Sequence, residues 1–234
     1  MEGTYIGQKA SIDPTTFIGR NVRVLGNTRI GPNCYIDDSV VIGYPSRQAL
    51  LEITRRGRVP LDLSDLDNRS DGETIIGSNC CIRFGSIIST DTHMQDRVYC
   101  DVRTQIGARC RIGSDTQILY GARIYNDVKV GSHCRIGGFC CDRCLIEDVV
   151  SSFGNLIHSY RTPTGGLIEP SPVIRSGATV GWGAIIIGGI EIGRNSYVAA
   201  GTVVPRTVPG NCMAIGHGPE VIPRSEWKGA LATD

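Results

Sequence analysis

The run Gln105-Ile106-Gly107-Ala108-Arg109-Cys110-Arg111-Ile112-Gly113-Ser114-Asp115-Thr116-Gln117-Ile118 decides the fold. An aliphatic residue returns at every sixth position, glycine follows Ile106 and Ile112, and the fourth residue after each of these, Cys110 or Thr116, is small or β-branched. A period of six fits neither a helix, at 3.6, nor a plain strand, at 2. It fits a short strand and a turn, repeated, with one large and one small side chain pointing inward per unit.

The beat extends outward in both directions. It runs back through Cys100, Met94, Ile88, Ile82 and Ile76, and on through Ile124, Val130 and Ile136. An N-terminal block supplies Ile6, Ile12, Ile18, Val24, Ile30, Ile36 and Ile42, and a C-terminal block Ile174, Val180, Ile186, Ile192, Val198 and Val204. Three units make one triangular coil, and stacked coils pair as parallel strands about 4.8 Å apart. The repeats then amount to roughly eight or nine coils, a prism on the order of 40 Å long.

Composition agrees with such a core. Glycine is abundant, at 30 residues, and aromatics make up only 6%, so Ile and Val must fill the interior. Lys and Arg (24) nearly balance Asp and Glu (23), which argues against a nucleic-acid binder working through a basic surface. No apolar run reaches the roughly 18 residues of a membrane span, and Met1-Glu2-Gly3-Thr4-Tyr5 lacks the pattern of a signal peptide. The expectation is a cytoplasmic protein. Ten cysteines without an export signal read as reduced thiols. Cys34, Cys80, Cys110, Cys134 and Cys140 are assigned to the small inward position, where Cys acts as a compact hydrophobe. The run Cys140-Cys141-Asp142-Arg143-Cys144 after His133 raises zinc, but no second ligand pair at regular spacing accompanies it.

A solenoid needs no interruptions for stability, so its breaks are where function is expected. The first spans 44–74, with a short helix expected from Ala49-Leu50-Leu51-Glu52-Ile53-Thr54-Arg55-Arg56 and a polar, turn-rich stretch from Asp62 to Gly72. A tolerated surface excursion and a pocket lid or subunit contact both remain open for it. The register slips again near Asp142, recovers, and departs at 158–172 through His158-Ser159-Tyr160-Arg161-Thr162-Pro163. This second break brings His, Tyr and Arg together ahead of the last coils.

The repeat resembles that of the hexapeptide-repeat (left-handed β-helix) acyltransferase superfamily over nearly the whole chain, and is closest to the sugar N-acetyltransferases. Gly177-Ala178-Thr179-Val180-Gly181-Trp182-Gly183-Ala184 and Gly201-Thr202-Val203-Val204-Pro205-Arg206 are similar to that family's C-terminal coenzyme A region. The resemblance alone implies the left hand, since general rules for parallel crossovers favour the right. It implies an all-β, left-handed parallel β-helix over 1–209. The open end of the last coil must be capped against edge pairing, and a capping tail over 210–234, with a short helix expected from Arg224 to Ala232, is assigned that role. The resemblance also implies a homotrimer with active sites between subunits. Ile186, Ile187 and Ala199 are expected on the outer faces that such an assembly covers.

The activity implied is transfer of an acyl group, acetyl first, from coenzyme A to an amino group of a small metabolite such as a nucleotide-linked amino sugar. Such chemistry asks for a base, a stabilised thioester oxygen and alignment of two reactants. Imidazole suits the first task, which makes His158 and His93 the candidate bases. Asn155, Tyr160, Arg161 and Asp91 are candidate acceptor contacts. Trp182, Gly183, Ala184, Gly201, Thr202 and Arg206 are candidates for acetyl-CoA, with N–H groups of Gly183 and Ala184 as possible oxygen donors and Arg206, Arg224 and Lys228 facing a phosphate. His133 reads as a solvated turn residue, and His217 falls in the tail. A non-catalytic scaffold is the alternative class. A γ-type carbonic anhydrase shares the fold but needs a close histidine pair that does not follow His93, and no metal site is assigned.

Overall fold

The computed structural model describes residues 3–55, 57, 62–159 and 169–216. The expected strand-and-turn unit is what forms. Most strands are two residues long, as in Gln105–Ile106, Arg111–Ile112 and Gln117–Ile118. Successive strands fall on three different faces, building parallel sheets of ten, nine and ten strands. The described residues therefore make about ten coils where the repeat count suggested eight or nine. They form a three-sided parallel β-solenoid, consistent with the left-handed β-helix.

Register is set by the aliphatic row. Ile88, Ile106 and Ile124 stack on the first face, Met94, Ile112 and Val130 on the second, Cys100, Ile118 and Ile136 on the third. Each of these nine side chains is at most 4% exposed, and together with their neighbours they form one continuous core. The first strand residue points outward, which is why Gln105, Arg111 and Gln117 stand where a core residue would be out of place.

The small inward position does more than fill space. Thr92 donates its hydroxyl to the Gly107 carbonyl (2.8 Å) and accepts the Cys110 N–H (3.2 Å), and Thr116 does the same with Gly131 and Cys134 (2.8 and 3.1 Å). Cys34, Cys110 and Cys134 donate their thiols to the carbonyls of Gly77, Tyr125 and Glu147 at 3.0, 2.9 and 3.1 Å. These cysteines are thus stand-ins for threonine, as well as compact hydrophobes. Cys140 differs: it sits in the large row between Ile124 and Leu156. The physical reason is a shortened corner. Partner strands are normally 18 residues apart, as in Gln105 and Arg123, but Arg123 pairs with Phe139 and Phe139 with Asn155, 16 residues on. The register slips at Gly137–Gly138, not near Asp142, because Gly138 turns there with φ +72° and packs its backbone against Gly154.

Corners elsewhere follow a rule of their own. Three residues after the aliphatic, the backbone is left-handed: Asn33, Asn79, Asp91, Asp115, Asp127, His133 and Asn195 all have φ between 53° and 60°. Asn and Asp tolerate this conformation better than other non-glycine residues. Ile186 corrects an expectation: it is an inward core residue, fully buried, while Ile187 and Ala199 are half-buried.

Both long breaks leave the solenoid at the same edge. One begins after the first-face strand Val41–Tyr44 and returns to the second-face strand Glu73–Ile76; the other begins after Asn155–Ile157 and returns at Val173–Ile174. The first carries helix α1, Arg47–Arg55, close to the expected place. A second helix, α2, Leu63–Asp67, replaces part of the stretch read as turns. Asp62 caps α2 by accepting from the N–H groups of Ser64 and Asp65. At its far end Asp67 accepts from the Gly26 N–H (2.6 Å), fastening the excursion to the coils below.

Candidate functional site

The edge between the first and second faces is where the two breaks meet the regular coils. Beneath α1 lies a cavity of about 510 Å³ walled by Tyr44, Leu50, Leu51, Gln105, Tyr125 and Asp142. Tyr125 holds its ring edge-on to Phe139, centroids 4.8 Å apart. An apolar, aromatic wall with a few convergent polar groups is the usual form of a small-molecule site. The sequence expectations missed this cavity, although Tyr44-Pro45 and the Ala49-Leu50-Leu51 helix marked its roof.

His158 begins the second break and is buried, 6% exposed. Its Nδ1 lies 3.4 Å from the Pro170 carbonyl, which only accepts, so that nitrogen carries the proton. Asn155, three residues earlier at the start of the first-face strand, donates its backbone N–H to the Ala184 carbonyl (2.7 Å). Tyr160 and Arg161 lie outside the described residues, as do His217, Arg224, Lys228 and the expected tail helix.

His93 stands on the second face four coils away, since it pairs with Arg111, which stacks on Lys129, Leu145 and Val173 in turn. At about 4.8 Å per coil the two histidines are separated by roughly 19 Å. They do not form one site. His93 donates Nε2–H to the Glu73 carbonyl (3.1 Å) and lies 3.9 Å from Asp91. Asp91 is a left-handed corner residue held by Arg111, whose guanidinium donates to the Asp91 carbonyl at 2.6 Å. His93 and Arg111 line a second, open groove of about 730 Å³ on this face, with Asp96, Ser114 and Asp148 along its rim.

The candidates for acetyl-CoA gather on a different edge, between the third and first faces. Trp182 is exposed and stacks on Phe153, centroids 5.0 Å apart, with Arg135 on that ring. Gly183 and Gly201 occupy the same left-handed corner in successive coils, both at φ +69°, and a Cβ at either would meet nothing within 4 Å. They form an open step beside the indole. Thr202 is buried and accepts the Gly216 N–H at 3.0 Å. Ala184 corrects an expectation: its N–H is donated to Gly181 within the turn (3.2 Å), so it does not point out as an oxygen donor. Arg206 is exposed and has no ion pair among the described residues.

Charge elsewhere is structural. Arg175 bridges Glu147 (2.8 Å) and Glu191 (2.6 Å) across stacked coils, and its hydrogen bonds, with those of Ser176, hold Glu147 down at about 2. Burial pushes the Cys100 and Cys110 thiols up to about 12, so both stay protonated and Cys110 keeps its donor. Among the described residues no group of three or more His, Cys, Asp or Glu is placed to hold a metal ion, and no helix is long and apolar enough to cross a membrane.

Fold and breaks together define a hexapeptide-repeat β-solenoid with two excursions on one edge. Residues 103–141 match the family model described as "Bacterial transferase hexapeptide (six repeats)". Over 225 residues, 94% of the chain, it is 26% identical to the "Bifunctional protein GlmU" of Koribacter versatilis, of which that region covers 40%. It is 31% identical over 121 residues to a "Putative serine acetyltransferase" of Schizosaccharomyces pombe, covering 50% of the chain and 44% of that relative. The chain thus spans well under half the length of the curated relatives it matches. Among solved structures, a "UDP-N-acetylglucosamine acyltransferase from Campylobacter jejuni" aligns over 88% of the chain and 69% of its own, at 14% identity and a TM-score of 0.45.

Proposed function

We propose that this protein is an acyltransferase that moves an acyl group, acetyl first, from coenzyme A to an amino group of a small metabolite, a nucleotide-linked amino sugar being the acceptor class we favour. One observation carries the reading: a solenoid whose residues 103–141 match a transferase hexapeptide repeat has two long breaks, both on one edge, where a cavity of about 510 Å³ forms. The relative named as a serine acetyltransferase supports the same reaction class.

In this reading the acceptor enters the edge beneath α1, and the second break, with Asn155, Tyr160 and Arg161, contributes to holding it. His158 takes the amine proton through Nε2, because its Nδ1–H is directed to Pro170 and fixes the tautomer. His93, with Asp91, is the second candidate for that task. Acetyl-CoA lies along the other edge of the first face, on the open step of Gly183 and Gly201 beside Trp182 and Thr202, with Arg206 toward a phosphate. Two edges of one prism do not meet, so the reactants come together where the edge of one subunit faces the edge of the next; a cytoplasmic homotrimer supplies that pairing.

The experiment is release of free coenzyme A thiol from acetyl-CoA, measured against a panel of amino-sugar nucleotides. A general base contributes about 10² to 10⁴ in rate, so His158→Ala is expected to lower kcat by that factor while unfolding at the wild-type temperature. If His93→Ala is the slow variant instead, the base lies on the second face. If neither is slow, the assignment of a protein base is wrong.

A further inference from the structure

The cysteines of the small inward row donate to carbonyls of the next coil, but Cys141 and Cys144 face each other instead, sulfurs 3.5 Å apart. The Cys144 N–H donates to the Cys141 carbonyl (3.4 Å), closing a four-residue turn with Arg143 left-handed at φ +63°. Such a turn brings its end Cα atoms within about 7 Å, which overlaps the roughly 4.4–6.8 Å span of disulfides.

The two residues between the thiols hold the return of the second break. The Asp142 carbonyl accepts the Ser171 hydroxyl (2.6 Å) and Arg143 donates to the Glu169 carbonyl (3.3 Å). Pro170, between them, is the residue whose carbonyl His158 meets. The Asp142 carboxylate accepts from the backbone and side-chain N–H of Asn126 (2.9 and 3.1 Å) and borders the cavity under α1.

We propose that Cys141 and Cys144 are a reversible disulfide pair, oxidised by peroxide, whose closure reshapes the turn that seats residues 169–171. The hydrogen bond from Cys144 holds the Cys141 thiol below its ordinary range, while the same contact and burial push Cys144 up. Cys141 is therefore the first nucleophile. Its thiolate attacks one peroxide oxygen, the O–O bond breaks, and hydroxide leaves with the Cys141 proton as water. The Cys144 sulfur then attacks the sulfenic sulfur, and the displaced hydroxide takes the Cys144 proton as a second water. The two sulfurs lose two electrons and the peroxide gains them. Cys141 and Cys144 are 2% and 1% exposed, which favours an oxidant hardly larger than water over a bulky disulfide.

The test is independent of the acyltransferase reading. The full chain is treated with stoichiometric hydrogen peroxide, alkylated, and cleaved with trypsin, which cuts after Arg143 between the two thiols. The proposal expects the peptides ending at Arg143 and beginning at Cys144 to be recovered joined, two mass units lighter than their reduced sum, and freed by dithiothreitol. Cys141→Ser and Cys144→Ser should each abolish the joined species, and a Cys140 linkage surviving in Cys141→Ser would overturn the assignment. Recovery of both peptides fully alkylated, with oxidation confined to the exposed Cys212, would overturn the proposal. Hydrogen exchange reads its second half: the segment 145–174 should exchange faster in oxidised than in reduced wild type, with no difference in peroxide-treated Cys144→Ser. Disulfide formation with unchanged exchange would refute the coupling to the turn.

Discussion

Thr92 and Cys110, like Thr116 and Cys134, occupy the same inward column in adjacent coils, and each donates to a carbonyl of the next coil. Threonine and cysteine are therefore interchangeable there for a physical reason: each is small and each carries a donor. Cys110→Thr should change stability in denaturant by less than about 1.5 kcal/mol, whereas Cys110→Leu should lose about 1–3 kcal/mol by overpacking. The aliphatic row was legible in the sequence because its period is a property of the chain alone. The thiol donors were not, since their acceptor carbonyls belong to the next coil. His158 was legible as a break residue but not as a buried one, because Pro170, which meets it, returns only after the excursion. Glu147 carries a pH prediction. Its pKa falls from an ordinary value near 4.5 to about 2 in the folded chain. The Glu147–Arg175 contribution is thus fully present above the unfolded value and is lost as pH falls through the folded one. Stability of wild type should drop between about pH 4.5 and 2 relative to Glu147→Gln, as read by paired thermal melts across that window.

At the scale of the turn, the left-handed corner three residues after each aliphatic explains the Asn, Asp and Gly spacing better than glycine following the aliphatic does. That pattern was present in the sequence, but reading it requires knowing that the unit ends in a corner. The slip was placed near Asp142 for a related reason: Gly137-Gly138 continues the glycine habit of the repeat while shortening the corner by two residues. Gly138 and Gly183 separate the two demands on a corner glycine. Both have positive φ, but a Cβ at Gly138 would lie 2.3 Å from the Gly154 carbonyl oxygen while one at Gly183 meets nothing. Each alanine variant bears a conformational cost of roughly 1–2 kcal/mol. Gly138→Ala should be the less stable of the two by denaturant titration, and equal losses would contradict the shortened corner. The helices of the first break show the opposite limit: α1 announced itself by composition, whereas α2 depends on the Asp62 cap and the Asp67 anchor.

For the whole molecule, parallel coils make one long core with no second layer behind it, so a single inward charge disrupts every neighbour. Ile112→Asp should abolish folding by burying an unpaired carboxylate, which circular dichroism would report. His158→Ala, at the edge, should leave the solenoid intact. The proposed homotrimer predicts a sedimentation mass three times the 25.2 kDa of one chain. The placement of both breaks on one edge became visible only when the coils were stacked, because residues 44 and 157 share that edge through coil count and not through any local signal. The same is true of the separation between the His158 and Trp182 edges. Acyl transfer on this scaffold is tested most directly by thermal unfolding of the purified chain with and without saturating acetyl-CoA, coenzyme A and a longer acyl-CoA. Binding to the folded state alone adds about 2.7 kcal/mol at a hundredfold excess over Kd, so a clear upward shift in Tm with acetyl-CoA is the predicted result. An unchanged Tm with all three would contradict the account and leave a non-catalytic scaffold as the reading of this fold.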